Sequence, residues 1–175
     1  LDIGVNITLT ELIHSMNELK NDLKPHHKSL FNAFLSNLRW FASRHIRNFA
    51  TLAGNITTGS PISDLNPILV ATDALLTVRS NKNGDRTIKM REFFLAYRKV
   101  NLNPDEVLIK VSIPLPSSEY ERIYAYKQAK RKADDIALVT GCYRVKLNNR
   151  FEIEQLDVSL GGVSPKTIYL NKLSE

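Results

Sequence analysis

Apolar residues near the start of the chain recur at steps of three and four, through Leu12, Met16, Leu19 and Leu23, with Ile13 beside them. That period predicts an amphipathic helix, and Thr8 and Glu11 precede it at the spacing of a capping box. Pro25 breaks the pattern. Leu30, Phe31, Phe34, Leu35, Leu38 and Phe41 then mark a second helix. Each helix is expected to bury one face in a core. Leu75 to Val78 and Thr87 to Met90 predict two short strands around Asn83-Gly84, a strong hairpin signal. Phe93 and Phe94 open a partly apolar stretch ending at Tyr97-Arg98-Lys99, and Val107 to Ile113 alternates as a strand closed by Pro114 and Pro116. Ile123 to Gln128, Ala137 to Leu147 and Phe151 to Leu160 predict three more strands, with Asn148-Asn149 joining the last two. Strands and helices mix without a regular βαβ alternation, so the expected class is α+β. Pro114 to Ser118 is the expected boundary between two lobes, 1–116 and 117–175.

Charge and composition narrow this picture only modestly. The formal net charge of +6 is spread along the 175 residues, and its densest run, Lys127 to Lys132, is interrupted by Gln128 and Ala129. Nucleic-acid binding is not expected from so diffuse a footprint. An apolar share of 43% and a charged share of 24% are ordinary for a globular protein. No stretch approaches the roughly 18 apolar residues of a membrane span. Leu1 and its neighbours do not read as a signal peptide. A single cysteine, Cys142, leaves no internal disulfide and no cluster of thiolates. A cytoplasmic location, or a peroxisomal one, is the default expectation. Cys142 lies in an apolar strand and is expected to be a buried, inert thiol. His14, His26, His27 and His45 lack acidic or thiol companions and are expected on the surface or in packing, with His26 and His27 pointing apart.

The stretch from Ala50 to Pro67 has a different texture. Gly54, Asn55, Gly59, Pro61, Asp64 and Asn66 crowd together with the hydroxyls of Thr57, Thr58, Ser60 and Ser63. Fixing such a loop costs about 1–2 kcal/mol of backbone entropy per residue, with little apolar burial in return. Loops of this kind are often kept because their N–H groups and hydroxyls grip a ligand, and successive N–H groups can cradle a phosphate without a lysine. The other reading is a long surface loop stabilised by Asx and Ser/Thr turns. No Walker A lysine, dinucleotide-binding glycine fingerprint or nucleophile elbow is present.

Taken whole, Ala50-Thr-Leu-Ala-Gly-Asn-Ile-Thr-Thr-Gly-Ser-Pro-Ile-Ser-Asp-Leu-Asn-Pro67 resembles the second flavin-contacting segment of the xanthine dehydrogenase and aldehyde oxidase family. Leu38-Arg-Trp-Phe-Ala42, Phe93-Phe-Leu-Ala-Tyr-Arg-Lys99, Lys127-Gln-Ala-Lys-Arg-Lys-Ala-Asp-Asp-Ile136 and Leu160-Gly-Gly162 follow the family's order. The resemblance implies an FAD-binding lobe of the vanillyl-alcohol-oxidase type, followed by the start of a small α+β lobe. It implies that Phe41 packs on the flavin nucleotide, and that Gly54, Asn55, Thr58, Ser63 and Asp64 grip its ribityl and phosphate portion. Leu108 would border the adenine and Lys127 would reach the cofactor from the small lobe. The structural alternatives are core packing for Phe41 and Leu108, and a helix cap for Asp64.

The same resemblance implies that Tyr97 and Asp134, with Asp135 beside it, line a nicotinamide site, making NAD the electron acceptor; a solvated charged loop is the plainer alternative. No catalytic acid or base is implied, because the hard chemistry belongs to the cofactor. Molybdopterin and [2Fe–2S] centres would lie in other domains, since one cysteine cannot ligate them. A homodimer of the whole enzyme is implied by likeness alone.

Flavin domains of this type begin with a valine- and glycine-rich pyrophosphate loop, and Leu1-Asp-Ile-Gly4 corresponds to a point well after it. The small lobe also normally continues beyond Glu175. Weak or absent FAD retention by this chain alone is therefore expected. Three readings follow: a piece of a xanthine dehydrogenase-like oxidoreductase, a separate flavin subunit like those of bacterial carbon-monoxide dehydrogenase relatives, or a degenerate interaction module that binds no flavin.

Overall fold

A computed structural model describes residues 1–170 of the chain. The segment 171–175, which the expected small lobe includes, lies outside them. The elements run β1 (Asp2–Gly4), α1 (Leu9–Leu19), a 3₁₀ turn (Lys20–Asp22), α2 (Lys28–Leu38), α3 (Arg44–Arg47), α4 (Leu52–Thr57) and α5 (Asn66–Ala71). They continue with β2 (Leu75–Ser80), β3 (Gly84–Lys89), α6 (Met90–Phe93), β4 (Phe94–Ala96), β5 (Lys99–Val100) and β6 (Glu106–Ser112). The last are β7 (Glu121–Gln128), β8 (Val139–Leu147), β9 (Ile153–Gly161) and β10 (Ile168–Tyr169). Two four-stranded antiparallel sheets result, β1-β6-β2-β3 and β10-β9-β8-β7, with β4-β5 as a small hairpin. The expected α+β class is observed.

The capping box forms as the spacing predicts. Thr8 Oγ1 accepts from the Glu11 amide at 3.2 Å, and the Glu11 carboxylate accepts from the Thr8 amide at 2.8 Å. α2 buries Leu30, Phe31, Phe34 and Leu38, but stops before Phe41. Ala42 adopts φ 41°, which turns the chain out of the helix and leaves Phe41 half-buried beyond its end. The rings of His26 and His27 do not point apart: they meet edge-on, with centroids 4.3 Å apart.

The largest departure from the sequence reading is in Ala50 to Pro67, which is not one continuous stretch of turns. Thr51 caps α4, its hydroxyl accepting from the Gly54 amide at 3.1 Å. Six residues of the stretch are thereby helical. α5 begins at Asn66 with Pro67 in its first turn, where the missing N–H is no loss, and every residue of α5 is buried. Between them only 58–65 forms turns. β1 was not expected; it is three residues long and held by β6 through pairs such as Ile3 with Val111.

The hydrophobic core is continuous from α1 and α2 through α5 and the first sheet to Ile123, Ala125 and Cys142 on the inner face of the second. Ala125 and Cys142 are directly paired. Cys142 is fully buried, and burial pushes its thiol up to about 12, so the expectation of an inert thiol stands. Among the described residues no cluster of three metal-ligating side chains occurs, and no helix is long and apolar enough to cross a membrane.

Arg86 on β3 reaches over β2 to the start of β6. Its guanidinium grips Glu106 at 2.5 and 2.7 Å, and Glu106 also accepts from the Asn103 amide. The hydrogen bond from Arg86 comes first among the causes that hold the Glu106 carboxyl down to about 2. A carboxyl with a depressed folded-state pKa stabilises the fold above its ordinary range, and that contribution is lost as pH falls toward the folded value. Melting temperature is therefore expected to fall as pH drops from about 5 toward 2. Glu106→Gln should flatten part of that acid limb in a pH series of thermal melts.

Candidate functional site

The turns between α4 and α5 are shaped from within. Ser63 Oγ donates to Asn55 Oδ1 at 2.7 Å and accepts from the amides of Leu65 and Asn66. Ser63, rather than Asp64, therefore satisfies the amides that lead into α5, whose N-cap is Leu65. Asp64 is left to face another element. Its carboxylate meets Lys127 Nζ at 2.9 Å, and Lys127 also donates to the Trp40 carbonyl at 3.1 Å. The Asp64 carbonyl accepts from the Asn37 side chain at 2.7 Å. The pair is deeply placed, with side-chain exposures of 6% for Lys127 and 8% for Asp64. Burial pushes the Asp64 carboxyl above the ordinary carboxylate range, while the Lys127 hydrogen bond and charge pull it back.

Above this pair lies a cavity of about 260 Å³. One wall is Phe41 and Ala42 after α2, with Asn55, Ser60, Ile62, Ser63 and Asp64; the other is Asp134 to Ala137. The second wall belongs to the loop between β7 and β8, closed at its base by a bond from the Leu138 amide to the Gln128 carbonyl at 2.8 Å. Asp135 organises that loop by accepting from the amides of Arg131 and Ile136, each at 2.9 Å. The bond from Arg131 is the leading cause that lowers the Asp135 carboxyl from its ordinary value. Asp134, at φ 50°, stands in the left-handed region.

Of the residues proposed from sequence, Phe41, Asn55, Ser63, Asp64 and Asp134 line one cavity. Lys127 stands behind Asp64 and also lines a basic depression with Trp40, Lys130, Arg131 and Lys132. Gly54 and Thr58 are exposed and bonded to each other, Thr58 Oγ1 donating to the Gly54 carbonyl at 2.6 Å. They do not line the cavity. Leu108 is part of the core and borders a separate depression with Gly4, Val5 and Ile7. Tyr97 is exposed in the turn of the β4-β5 hairpin. Sequence reasoning missed Asn37 and Thr140, the latter donating to the Ser63 carbonyl at 3.2 Å. Asn37 carried a signal, as a polar residue on the apolar face between Phe34 and Leu38.

The donors and acceptors left open suit a polyol beside an aromatic ring. Asn55 spends its carbonyl oxygen on Ser63, and its amide nitrogen has no protein partner among the described residues. Lys127 takes Asp64 Oδ2, while Oδ1 has no such partner. A donor and an acceptor thus share the cavity with Phe41, and each hydroxyl of a polyol both donates and accepts. The cavity is smaller than the roughly 300 Å³ at which drug-sized ligand pockets begin, so it takes one portion of a large ligand.

Comparison with known proteins gives this geometry a family. Residues 1–116 match the family described as the FAD binding domain in molybdopterin dehydrogenase. The chain belongs to that family. Residues 124–175 of this flavin-domain chain match the CO dehydrogenase flavoprotein C-terminal domain. The xanthine dehydrogenase of Blastobotrys adeninivorans is 47% identical over 167 residues, covering 95% of the chain and 12% of that protein. A nicotinate hydroxylase of Emericella nidulans is 43% identical over 148 residues, covering 83% of the chain and 11% of the relative. The chain thus spans about an eighth of the length of such relatives. In fold it matches reconstituted CO dehydrogenase from Oligotropha carboxidovorans with a TM-score of 0.83 at 17% identity, over 99% of this chain and 56% of that one.

Removing Lys127 would strand the Asp64 carboxylate. Lys127→Met is expected to lower unfolding free energy by about 3–5 kcal/mol near neutral pH. A carboxyl with a raised folded-state pKa binds its proton more tightly in the fold, so the deficit should shrink as pH falls through its raised range. Urea unfolding across pH checks this, and the double variant Lys127→Met with Asp64→Asn should recover most of the loss.

Proposed function

We propose that this flavin-domain chain holds FAD within a xanthine dehydrogenase-like oxidoreductase and passes electrons from iron–sulfur centres through the flavin to NAD. The observation that carries the reading is the cavity in which Phe41, Asn55, Ser63 and Asp64 face Asp134. In this reading residues 1–116 form the flavin lobe and 117–175 begin the small lobe. When bound, FAD supplies hydride and single-electron transfer. The chain's own residues position and shield it. Phe41 packs on the ring system, the Asn55 amide donates to the ribityl chain and Asp64 Oδ1 accepts from it. Lys127 acts through Asp64, holding its carboxylate in one orientation. Gly54 and Thr58 serve the phosphate-sugar portion from the exposed side of α4, and Leu108 borders the adenine. Asp134 and Tyr97 face the nicotinamide of NAD.

The wider enzyme would add molybdenum and [2Fe–2S] domains, a homodimeric assembly and a cytoplasmic location, with a purine or an aldehyde as the oxidised substrate. The separate flavin subunit is the weaker reading, because the likeness to the carbon-monoxide dehydrogenase structures is 17–20% in sequence against 47% for a xanthine dehydrogenase.

Titrating the purified chain with FAD, followed by flavin absorbance and fluorescence, tests the reading. Saturable binding is expected, even if weak, with affinity reduced about tenfold in Asn55→Ala through loss of one hydrogen bond in a partly dry site. Phe41→Ala should weaken it similarly. No saturable binding by the intact protein that contains this chain, or binding indifferent to both substitutions, would overturn it.

A further inference from the structure

Of the segments that carry the family resemblance, Leu160-Gly-Gly162 is the one to which no ligand contact has been given, and its geometry is tight. The Gly162 amide donates to the Pro61 carbonyl at 2.8 Å, joining the end of β9 to the turn that forms the first wall of the cavity. A Cβ on Gly161 would stand 2.8 Å from that same carbonyl and 2.5 Å from Thr140 Oγ1. Thr140 is itself bonded to the Ser63 carbonyl. A Cβ on Gly162 would stand 2.2 Å from the carbonyl oxygen of Leu138, and the residue holds φ +88°. Contacts shorter than 3 Å against backbone cannot be relieved by turning a side chain. Both positions therefore require glycine, and each meets a different wall.

We infer that Gly161 and Gly162 are positioning residues that clamp the flavin-side turn, Ser60 to Asp64, against the base of the loop between β7 and β8, at Leu138. This rests on the reading of the cavity as a flavin site. The bond to Pro61 and the close approach to Leu138 both leave from Gly162, and Gly161 before it packs on the same Pro61 carbonyl, so the width of the cavity follows the backbone at the end of β9. Lys127 and Thr140 reach the same turn from β7 and β8. The flavin-side turn is therefore seated on three neighbouring strands of the second sheet, and among the described residues the hydrogen bond from just beyond β9 is the one that runs backbone to backbone. A displaced glycine pair would move the two walls relative to one another although no lining residue is substituted.

Gly141 offers an internal control. It lies in β8 beside Thr140, and a Cβ there would meet only side-chain atoms of Leu160 and Tyr143, at 3.2 Å and beyond. The experiment is hydrogen exchange by mass spectrometry on the purified chain, paired with FAD titration and visible circular dichroism of bound flavin. Gly162→Ala should raise exchange of the amides in 60–65 and 129–138 about tenfold, as expected for loss of roughly one hydrogen bond, with α1 and the first sheet unchanged. Thr140→Val, which removes one bond and keeps the shape, should raise exchange at 60–65 alone, and it decides the matter if the glycine variant fails to fold. Gly141→Ala should leave both segments as they are. With FAD present, Gly162→Ala should weaken binding and alter the flavin dichroism, and Gly141→Ala should do neither. Unchanged exchange at 60–65 in both Gly162→Ala and Thr140→Val would overturn the clamp, as would a rise spread evenly over both sheets. No FAD binding by the intact protein that contains this chain would instead overturn the flavin reading, with the clamp still judged by exchange.

Discussion

Lys127 and Asp64, 63 residues apart in sequence, meet at 2.9 Å in the interior, and the arrangement of the site depends on that pair. A buried charge without a partner is expensive enough that the surrounding chain must keep the two together. The requirement places β7 beside the turn between α4 and α5. Lys127 also bonds the carbonyl of Trp40, so the same ammonium anchors the chain leaving α2, just before Phe41. Three segments distant in sequence thus converge on one cation. The pair adds orientation more than stability, since one carboxylate oxygen is occupied and the other is left to accept.

Around this centre the contributions divide by element. α5 is buried on all sides and packs against the second sheet, which gives the turn between α4 and α5 a firm floor. Ser63 accepts from the first amide of that helix and donates to Asn55, so the same hydroxyl ends a turn and fixes the Asn55 side chain. The opposite wall depends on less. Asp135 holds its loop through two backbone amides, while Asp134 and Ile136 remain at the surface. A firm wall facing a lightly held one suits a site that retains one ligand and exchanges another.

Much of the fold was legible because its signals are local. The Thr8–Glu11 box, the helical period through Phe34 and Leu38, and the alternation of Val107 to Ile113 each act over a few residues. The α4 helix was hidden because Gly54, Asn55 and Thr57 disfavour helix on propensity, and it forms through the Thr51 cap and burial of Leu52 and Ile56. β1 was hidden because three residues carry no period, and its partner β6 lies about a hundred residues away. At the site, the family resemblance brought Asp64 and Lys127 forward, but their contact is a long-range fact that no spacing expresses. The supporting roles of Thr140 and of the Gly161-Gly162 pair belong to the same kind, visible only once the sheet closes on the turn.

A crystal structure of the chain grown with saturating FAD tests the central claim most directly. The account predicts flavin density in the cavity between Phe41 and the Asp134 loop, with a ribityl hydroxyl within hydrogen-bond distance of Asn55 Nδ2 and Asp64 Oδ1, and with the Lys127 contact intact. Flavin seated elsewhere, for instance on the exposed face carrying Tyr124, Tyr126 and Tyr143, or a Lys127 turned away from Asp64 to the ligand, would contradict it.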